Sequence, residues 1–349
     1  MIKNKLYVMG LNMSGKGLLT QLIDGHKKIA VFPYHKFGIS CVLKDFVNFL
    51  RSEKHYFDYQ HFISNKDIVF QIDIDDFKKK ISISELVNFL FKNNGSMPYL
   101  IQSHFSKKCL AFAGDKNFVS HIFNFDIFNF IKKLEEFIIK NKKESYKVEE
   151  IENFIFNSFI KSTDEYESNL ELKYYAQWTS NSIEDIKNII GHYNDFKLIY
   201  IKRDLLSSSY AIAKRMSLKV DSKFSKKKIK KIMVQAAINR KKKEDEIEQL
   251  ISSSKKRNNF LSINFSDLFL NRKNILIDIC KFLEIDFDQR MLKPHLINKC
   301  IEEKSFYKNK MNDDPNEIFT KHEITKLNEI LSSNLKLKFK FVFDKIFVL

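Results

Sequence analysis

The residues with the clearest chemical purpose form a short glycine-rich segment near the start of the chain. It reads Gly10-Leu11-Asn12-Met13-Ser14-Gly15-Lys16-Gly17 and joins an apolar run to a segment with helical spacing. Glycines let successive backbone N–H groups point toward one centre, and the start of a helix adds its positive dipole. Lys16 supplies a mobile cation and Ser14 a hydroxyl. Such a loop is suited to bind a phosphate or a phosphosulfate group.

The same loop is similar to the nucleotide-binding motif G-x-x-x-x-G-K-[ST], with one difference. Gly17 stands where the motif has a serine or threonine, the hydroxyl of which binds magnesium in nucleoside-triphosphate hydrolases. This difference counts against that class. The run from Val69 to Asp75 nevertheless resembles an apolar strand ending in an acid, which such enzymes use around magnesium. A nucleotide-dependent kinase or hydrolase therefore stays an alternative.

The elements around the loop indicate an α/β fold. Residues 6–9 and 29–32 predict two short strands, and leucines and isoleucines at helical spacing predict a helix between them. This order is typical of a parallel central sheet flanked by helices, with a P-loop-like phosphate-binding loop after the first strand. Later in the chain the pattern returns: strands are predicted over 196–201 and 260–264, and helices over 183–190, 206–216, 226–251, 275–283 and 322–331.

Residues 43–160 separate these two parts and have a mainly helical pattern. Helices are predicted over 43–51, 82–92, 127–140 and 148–159, and strand-like patches over 68–74 and 99–102. We expect one α/β domain over residues 1–349, in which 43–160 is a largely helical insertion on the acceptor side.

The chain is strongly basic, with 60 Lys and Arg against 43 Asp and Glu and a formal net charge of +17. Such a charge predicts anionic partners: nucleic acid, an anionic membrane face or a phosphate-rich ligand. Nothing in the sequence resembles a recognition helix or an aromatic stacking motif for nucleic acid. A basic protein that binds nucleic acid or a membrane surface is the non-enzymatic alternative.

The cysteines and the N-terminus predict a cytoplasmic protein without a metal. Cys41, Cys109, Cys280 and Cys300 are scattered, with no C-x-x-C pair and no histidine at ligand spacing. This spacing argues against a zinc site or a disulfide framework and fits a reducing compartment. Cys280 lies in an apolar run and is interpreted as part of the core. The N-terminal apolar run is too short for a signal peptide or a membrane span.

Beyond the loop, the sequence resembles the sulfotransferase superfamily. Members have Ser-Gly-Thr-Thr, a helix and a His-Pro-x-Ile turn at the spacing seen here between Ser14-Gly15-Lys16-Gly17 and His26-Lys27-Lys28-Ile29. Residues 196–204 resemble the family strand that ends in Arg-Asp-Pro. Residues 261–268 are similar to the Val-x-Tyr-Glu-Asp-Leu strand, and residues 279–285 to the Ile-x-x-Phe-Leu-Gly-Leu helix that follows it.

The resemblance implies transfer of a sulfuryl group from 3′-phosphoadenosine 5′-phosphosulfate to a hydroxyl or amine of an acceptor, a glycan being one option. No metal is implied. Lys16 would stabilise the bridging and leaving oxygens. The resemblance also assigns Ser14, Gly15, Gly17 and Leu18 to the phosphosulfate, Arg203 to the 3′-phosphate, and Lys308 to a basic closing loop. The family serine that binds the 3′-phosphate corresponds to Ala211, and we expect Ser207 and Ser208, one helical turn earlier, to take its place.

The catalytic base is the least direct of these assignments. Several members of the family have a carboxylate just after the second strand, where this chain reads Phe32-Pro33-Tyr34-His35-Lys36. We predict that His35 is the base, because imidazole titrates near neutrality. Five further positions depart from the family: Met13, Lys16, Trp178, Leu205 and Ala211. The acceptor and the oligomeric state are not encoded in any recognisable motif.

Overall fold

The structure is a computed structural model that describes the chain in twelve separate ranges. The described residues are 4–11, 13–31, 69–74, 77–83, 85–86, 127–163, 166, 171–179, 183–219, 226–296, 299–300 and 313–332. His35, Lys308, Cys41, Cys109 and the predicted elements over 43–51 and 99–102 lie outside them.

The strands are β1 Asn4–Met9, β2 Ile29–Val31, β3 Val69–Ile74, β4 Phe77–Ser82, β5 Ser145–Lys147, β6 Tyr174–Trp178, β7 Phe196–Lys202, β8 Phe260–Asn264, β9 His295–Leu296 and β10 Lys299–Cys300. Five of them form a parallel central sheet in the order β2-β6-β1-β7-β8. The residues of β1 and β7 are almost continuously buried, as expected of strands covered on both faces.

The helices are α1 Lys16–Ile23, α2 Ile127–Lys140, α3 Val148–Lys161, α4 Ile183–His192, α5 Leu205–Lys219, α6 Lys226–Ser253, α7 Asp267–Leu270, α8 Arg272–Phe282 and α9 Lys321–Ser332. Helices flank the central sheet, so the predicted α/β fold with a parallel central sheet is confirmed. No helix in the described ranges is long and apolar enough to cross a membrane.

The chain forms two compact units. The first comprises Met1–Met9, Gly17–Ile199 and Leu276–Glu302, and the second Gly10–Lys16, Tyr200–Ile275 and Glu303–Leu349. The prediction of one domain over residues 1–349 stays a prediction.

The first unit contains a small second sheet that the sequence predicted only in part. Its order is β4-β3-β5, with β3 and β4 antiparallel and β5 parallel to β3. Helices α2 and α3 stack the rings of Phe137 and Phe154 at a centroid distance of 6.2 Å. The predicted helices over 127–140 and 148–159 are confirmed, and the region they belong to also holds this three-stranded sheet.

Two polar features are buried in the first unit. The ammonium of Lys5 lies 3.1 Å from a carboxylate oxygen of Glu152 and 3.7 Å from the centroid of the Tyr193 ring, which compensates a charge removed from water. His26 accepts a hydrogen bond from the Lys28 N–H at Nδ1 and donates from Nε2 to the Asp286 carbonyl. Both ring nitrogens are therefore used in the way that a neutral imidazole allows.

Cys280 is buried in the first unit, with its Sγ 3.6 Å from the Met291 sulfur. Burial raises the pKa of its thiol to about 11, so the thiol stays protonated near neutral pH. Its interpretation as a core residue is confirmed.

In the second unit, helices α5, α6 and α9 pack around a common apolar core. Its fully buried members are Leu206, Tyr210, Ala213, Met233, Val234, Ala237, Ile238, Phe319, Leu327 and Leu331. This core fixes α5, the helix that begins two residues after Arg203.

Candidate functional site

The glycine-rich loop adopts a backbone conformation that few residues tolerate. Gly15 has φ of 97° and Met13 has φ of 65°, both in the region that favours glycine. The Ser14 N–H donates to the Leu11 carbonyl at 3.0 Å and closes a turn. For Met13 the left-handed conformation costs about 1–2 kcal/mol. A bend that costs this much must be held by contacts with its surroundings.

The surroundings leave no space for larger residues at the two glycines. A Cβ on Gly10 would lie 2.6 Å from the Ile201 carbonyl oxygen and 2.3 Å from Ser14 Oγ. A Cβ on Gly15 would lie 2.0 Å from a carbon of the Phe265 ring. The loop is thus seated on the end of β7 and on the residue that follows β8.

The Ser14 hydroxyl is buried inside this loop. Ser14 is 1% exposed, and within the described part of the chain its Oγ has no hydrogen-bond partner. A buried hydroxyl without a partner costs roughly 1–3 kcal/mol. A bound oxyanion is one group that would supply the missing acceptor, so the residues present fit a phosphate-type ligand.

The next residues of the loop begin α1. Lys16 is the first residue of the helix and is partly exposed. The first N–H groups of a helix have no partner within the helix and favour anions. Gly17 accepts a hydrogen bond from the Thr20 hydroxyl at its carbonyl. The Leu18 side chain is buried, which leaves only its backbone for a ligand. The binding roles of Lys16, Gly17 and Leu18 stay predictions.

Arg203 stands directly after β7 and joins the loop to two other segments. Its Nη1 donates to the Met13 carbonyl at 3.1 Å, and its Nη2 pairs with Asp313 Oδ2 at 3.0 Å. Its guanidinium carbon lies 5.3 Å from the centroid of the Phe265 ring, which itself packs on Gly15. The structure therefore brings Arg203 next to the loop, and its role toward a 3′-phosphate stays a prediction.

The predicted serines occupy the first turn of α5 and differ in availability. The Ser207 N–H donates to the Asp204 carboxylate at 2.7 Å, which caps the helix, and the Ser207 side chain is partly exposed. Ser208 is buried, and its hydroxyl donates to the Leu205 carbonyl at 3.1 Å. Of the two hydroxyls, that of Ser207 is better placed to meet a ligand.

Three residues of the site were not predicted from the sequence: Phe265, Arg215 and Asp313. Arg215 is an exposed residue of α5, and its Nη1 lies 4.0 Å from the Met13 sulfur, so it adds a cation beside the loop. Its place in the predicted helix 206–216 was visible, but its proximity to the loop depends on tertiary packing. Asp313 carries no sequence signal of its own.

The segment after Asp313 is fixed to α5. Tyr210 donates to Glu317 Oε2 at 2.5 Å, and the Lys214 ammonium lies 3.6 Å from the same oxygen. Burial, together with this acceptor, raises the pKa of Tyr210, so its hydroxyl keeps the proton that it donates. Glu317 ends the short 3-10 turn Pro315–Glu317, whose position is thereby set.

Within the described ranges no group of three His, Cys, Asp or Glu side chains is arranged to hold a metal ion.

Comparison with known proteins gives no match in sequence and several in structure. No family model and no curated protein matches the chain. The sulfotransferase domain of the Synechococcus PCC 7002 olefin synthase has 12% identity and a TM-score of 0.45, over 99% of this chain and 93% of that one. A sulfotransferase from Alicyclobacillus acidocaldarius has 9% identity and a TM-score of 0.40, over 96% and 98%.

A third solved structure is that of a retinol dehydratase in complex with androsterone and the inactive cofactor PAP. It has 10% identity and a TM-score of 0.35, over 97% of this chain and 83% of that one. These solved structures are ones that the chain resembles, and TM-scores below 0.5 carry no conclusion about its activity or its donor.

Proposed function

We propose that the chain is a sulfotransferase and that the loop from Gly10 to Lys16 binds the phosphosulfate end of 3′-phosphoadenosine 5′-phosphosulfate. The observation that carries the proposal is the buried Ser14 hydroxyl without a partner in the described part of the chain, inside a loop that continues into Lys16 and the start of α1. A hydroxyl, a cation and helix N–H groups are the donors that an oxyanion needs.

Each residue has a specific task in this proposal. Ser14 and the N–H groups at the start of α1 bind the oxygens of the anion. Lys16 stabilises the negative charge that develops on the leaving oxygen. When bound, the donor supplies a sulfuryl group attached to a phosphate leaving group. Arg203 and Ser207 bind the second anion, the 3′-phosphate, with charge-assisted hydrogen bonds from the guanidinium.

The acceptor side is proposed from the sequence alone. His35, outside the described residues, accepts the proton of the acceptor hydroxyl or amine, since neutral imidazole is a base near physiological pH. Lys308, also outside them, adds a cation toward the 3′-phosphate. The acceptor class that we propose is a hydroxyl- or amine-bearing molecule such as a glycan, favoured by a chain of net charge +17 if it carries negative groups.

The proposal is tested by thermal unfolding in the presence of 3′-phosphoadenosine 5′-phosphate without magnesium, and separately with ATP and magnesium. A ligand at 100 times its dissociation constant adds about 2.7 kcal/mol to the stability of the native state. We expect stabilisation by the bisphosphate, its loss in Lys16→Ala, and its retention in Lys242→Ala, which removes an exposed lysine of α6. Stabilisation by ATP and magnesium alone would favour a kinase or hydrolase.

A further inference from the structure

Arg203 is paired with an anion that belongs to the chain itself. The Arg203 side chain is 4% exposed and that of Asp313 is 14% exposed, so water screens little of their attraction across 3.0 Å. The two residues are 110 positions apart in the chain. The pair is therefore a tertiary contact made by the segment that leads into the Pro315–Glu317 turn.

The other contacts of Arg203 restrict where a second anion could bind. Nη1 donates to the Met13 carbonyl, and the ring of Phe265 lies 5.3 Å from the guanidinium carbon. The Asp313 carboxylate is held at Nη2. Carboxylate and phosphate oxygens are the same kind of acceptor for a guanidinium. Two anions in one shielded position repel each other strongly, so one must leave before the other enters.

From this geometry we propose that the Asp313 carboxylate occupies the position on Arg203 that the 3′-phosphate of the donor takes, so that Asp313 and the donor compete. This proposal rests on the proposed function. The apparent dissociation constant of the donor is then the intrinsic constant divided by the fraction of molecules in which Asp313 has released Arg203, so the pair weakens donor binding. It also keeps the charge of Arg203 balanced when no donor is bound.

The anchoring of the following turn makes the exchange reversible. Glu317 is held by Tyr210 and Lys214 of α5, so a displaced Asp313 side chain stays close to Arg203. A tethered competitor has a high effective concentration. The carboxylate consequently competes with the product bisphosphate for Arg203, which favours product release, and it pairs with Arg203 again once the product has left.

The test is the affinity of 3′-phosphoadenosine 5′-phosphate, measured by calorimetry on the full chain and on Asp313→Asn. We expect the variant to bind the bisphosphate about tenfold tighter or more. Asp314→Asn is the matched control. It removes the same charge one position away, where the exposed carboxylate accepts hydrogen bonds from the backbone and side-chain N–H groups of Asn316, and its affinity should stay within about twofold of wild type.

Two further measurements assign the effect to Arg203 and to the 3′-phosphate. Adenosine 5′-monophosphate, which lacks that phosphate, should bind wild type and Asp313→Asn equally. In an Arg203→Gln background, the Asp313→Asn gain should shrink to about twofold or less, because a neutral side chain forms no ion pair with Asp313. Circular dichroism of each variant checks that it is folded.

The outcomes separate this inference from the proposed function. Bisphosphate binding to wild type with equal or weaker binding to Asp313→Asn overturns the inference and leaves the proposed function standing. An equal gain for adenosine 5′-monophosphate also overturns it, since the competition would then not concern the 3′-phosphate. Failure of wild type, Asp313→Asn and Asp314→Asn alike to bind the bisphosphate overturns both.

Discussion

Replacing Gly15 by alanine should destabilise the protein through two separate effects. Alanine at φ of 97° costs about 1–2 kcal/mol, because Cβ meets the neighbouring carbonyl in left-handed backbone. The added Cβ would also lie 2.0 Å from the Phe265 ring, and overpacking of this kind costs about 1–3 kcal/mol. The sum, about 2–5 kcal/mol, is a large part of the 5–15 kcal/mol by which proteins of this kind are stable.

Gly191 provides the matched control for this substitution. It lies in the last turn of α4, and a Cβ there would meet nothing within 4 Å. Gly191→Ala should therefore be neutral or raise the free energy of unfolding by up to about 1 kcal/mol, since alanine favours a helix. Urea unfolding with an unchanged m-value measures both variants.

A double variant separates strain from overpacking. Phe265→Ala removes the ring that the new methyl group would meet, so Gly15→Ala should cost about 1–3 kcal/mol less in that background than in wild type. The backbone cost would remain. Equal stability of Gly15→Ala and wild type would refute both the left-handed loop and its contact with the ring.

Three other predictions concern the rest of the molecule. Lys5→Met should lower the free energy of unfolding by about 3–5 kcal/mol, because it leaves the Glu152 carboxylate buried without its ion pair. The double variant Lys5→Met with Glu152→Leu should recover most of this loss, as measured by chemical denaturation. Burial lowers the pKa of His26 and of His295 from 6.5. Below pH 6.5 the unfolded chain therefore binds more protons than the folded chain, so the free energy of unfolding should fall as the pH drops. This fall should be smaller in His26→Gln. His35→Ala should reduce sulfuryl transfer about a hundredfold in steady-state assays with the affinity for 3′-phosphoadenosine 5′-phosphate unchanged, and an equal turnover would remove His35 as base.

The main elements were predictable because their apolar residues have a clear period. The strand over 260–264 and the helix over 127–140 agree with the structure at both ends. Strand β4, the antiparallel neighbour of β3, was not predicted, because the three lysines at 78–80 interrupt its alternation of apolar and polar residues. The three-residue β5 is too short to show any period.

The geometry of the candidate site was predictable only where its residues are close together in sequence. The loop and the arginine after β7 follow from glycine spacing and from the end of an apolar strand. The Asp313 carboxylate that meets Arg203, and the ring that meets Gly15, depend on which distant segments the fold brings together. One sequence carries no signal for such contacts, and the helix position of Arg215 alone did not show that it reaches Met13.

The positions of the second unit's segments along the chain have a consequence for the order in which the protein folds during synthesis. Its loop, its central segment and its last segment are far apart in the chain: 190 positions separate Met13 from Arg203, and a further 110 separate Arg203 from Asp313. Closing such long loops costs entropy before any contact repays it, so these contacts form late in folding. During synthesis the loop leaves the ribosome 190 positions ahead of Arg203, whereas the carboxylate that balances Arg203 follows 110 positions after it. A nascent chain can therefore complete much of its first unit while the glycine-rich loop still lacks the residues that set its shape.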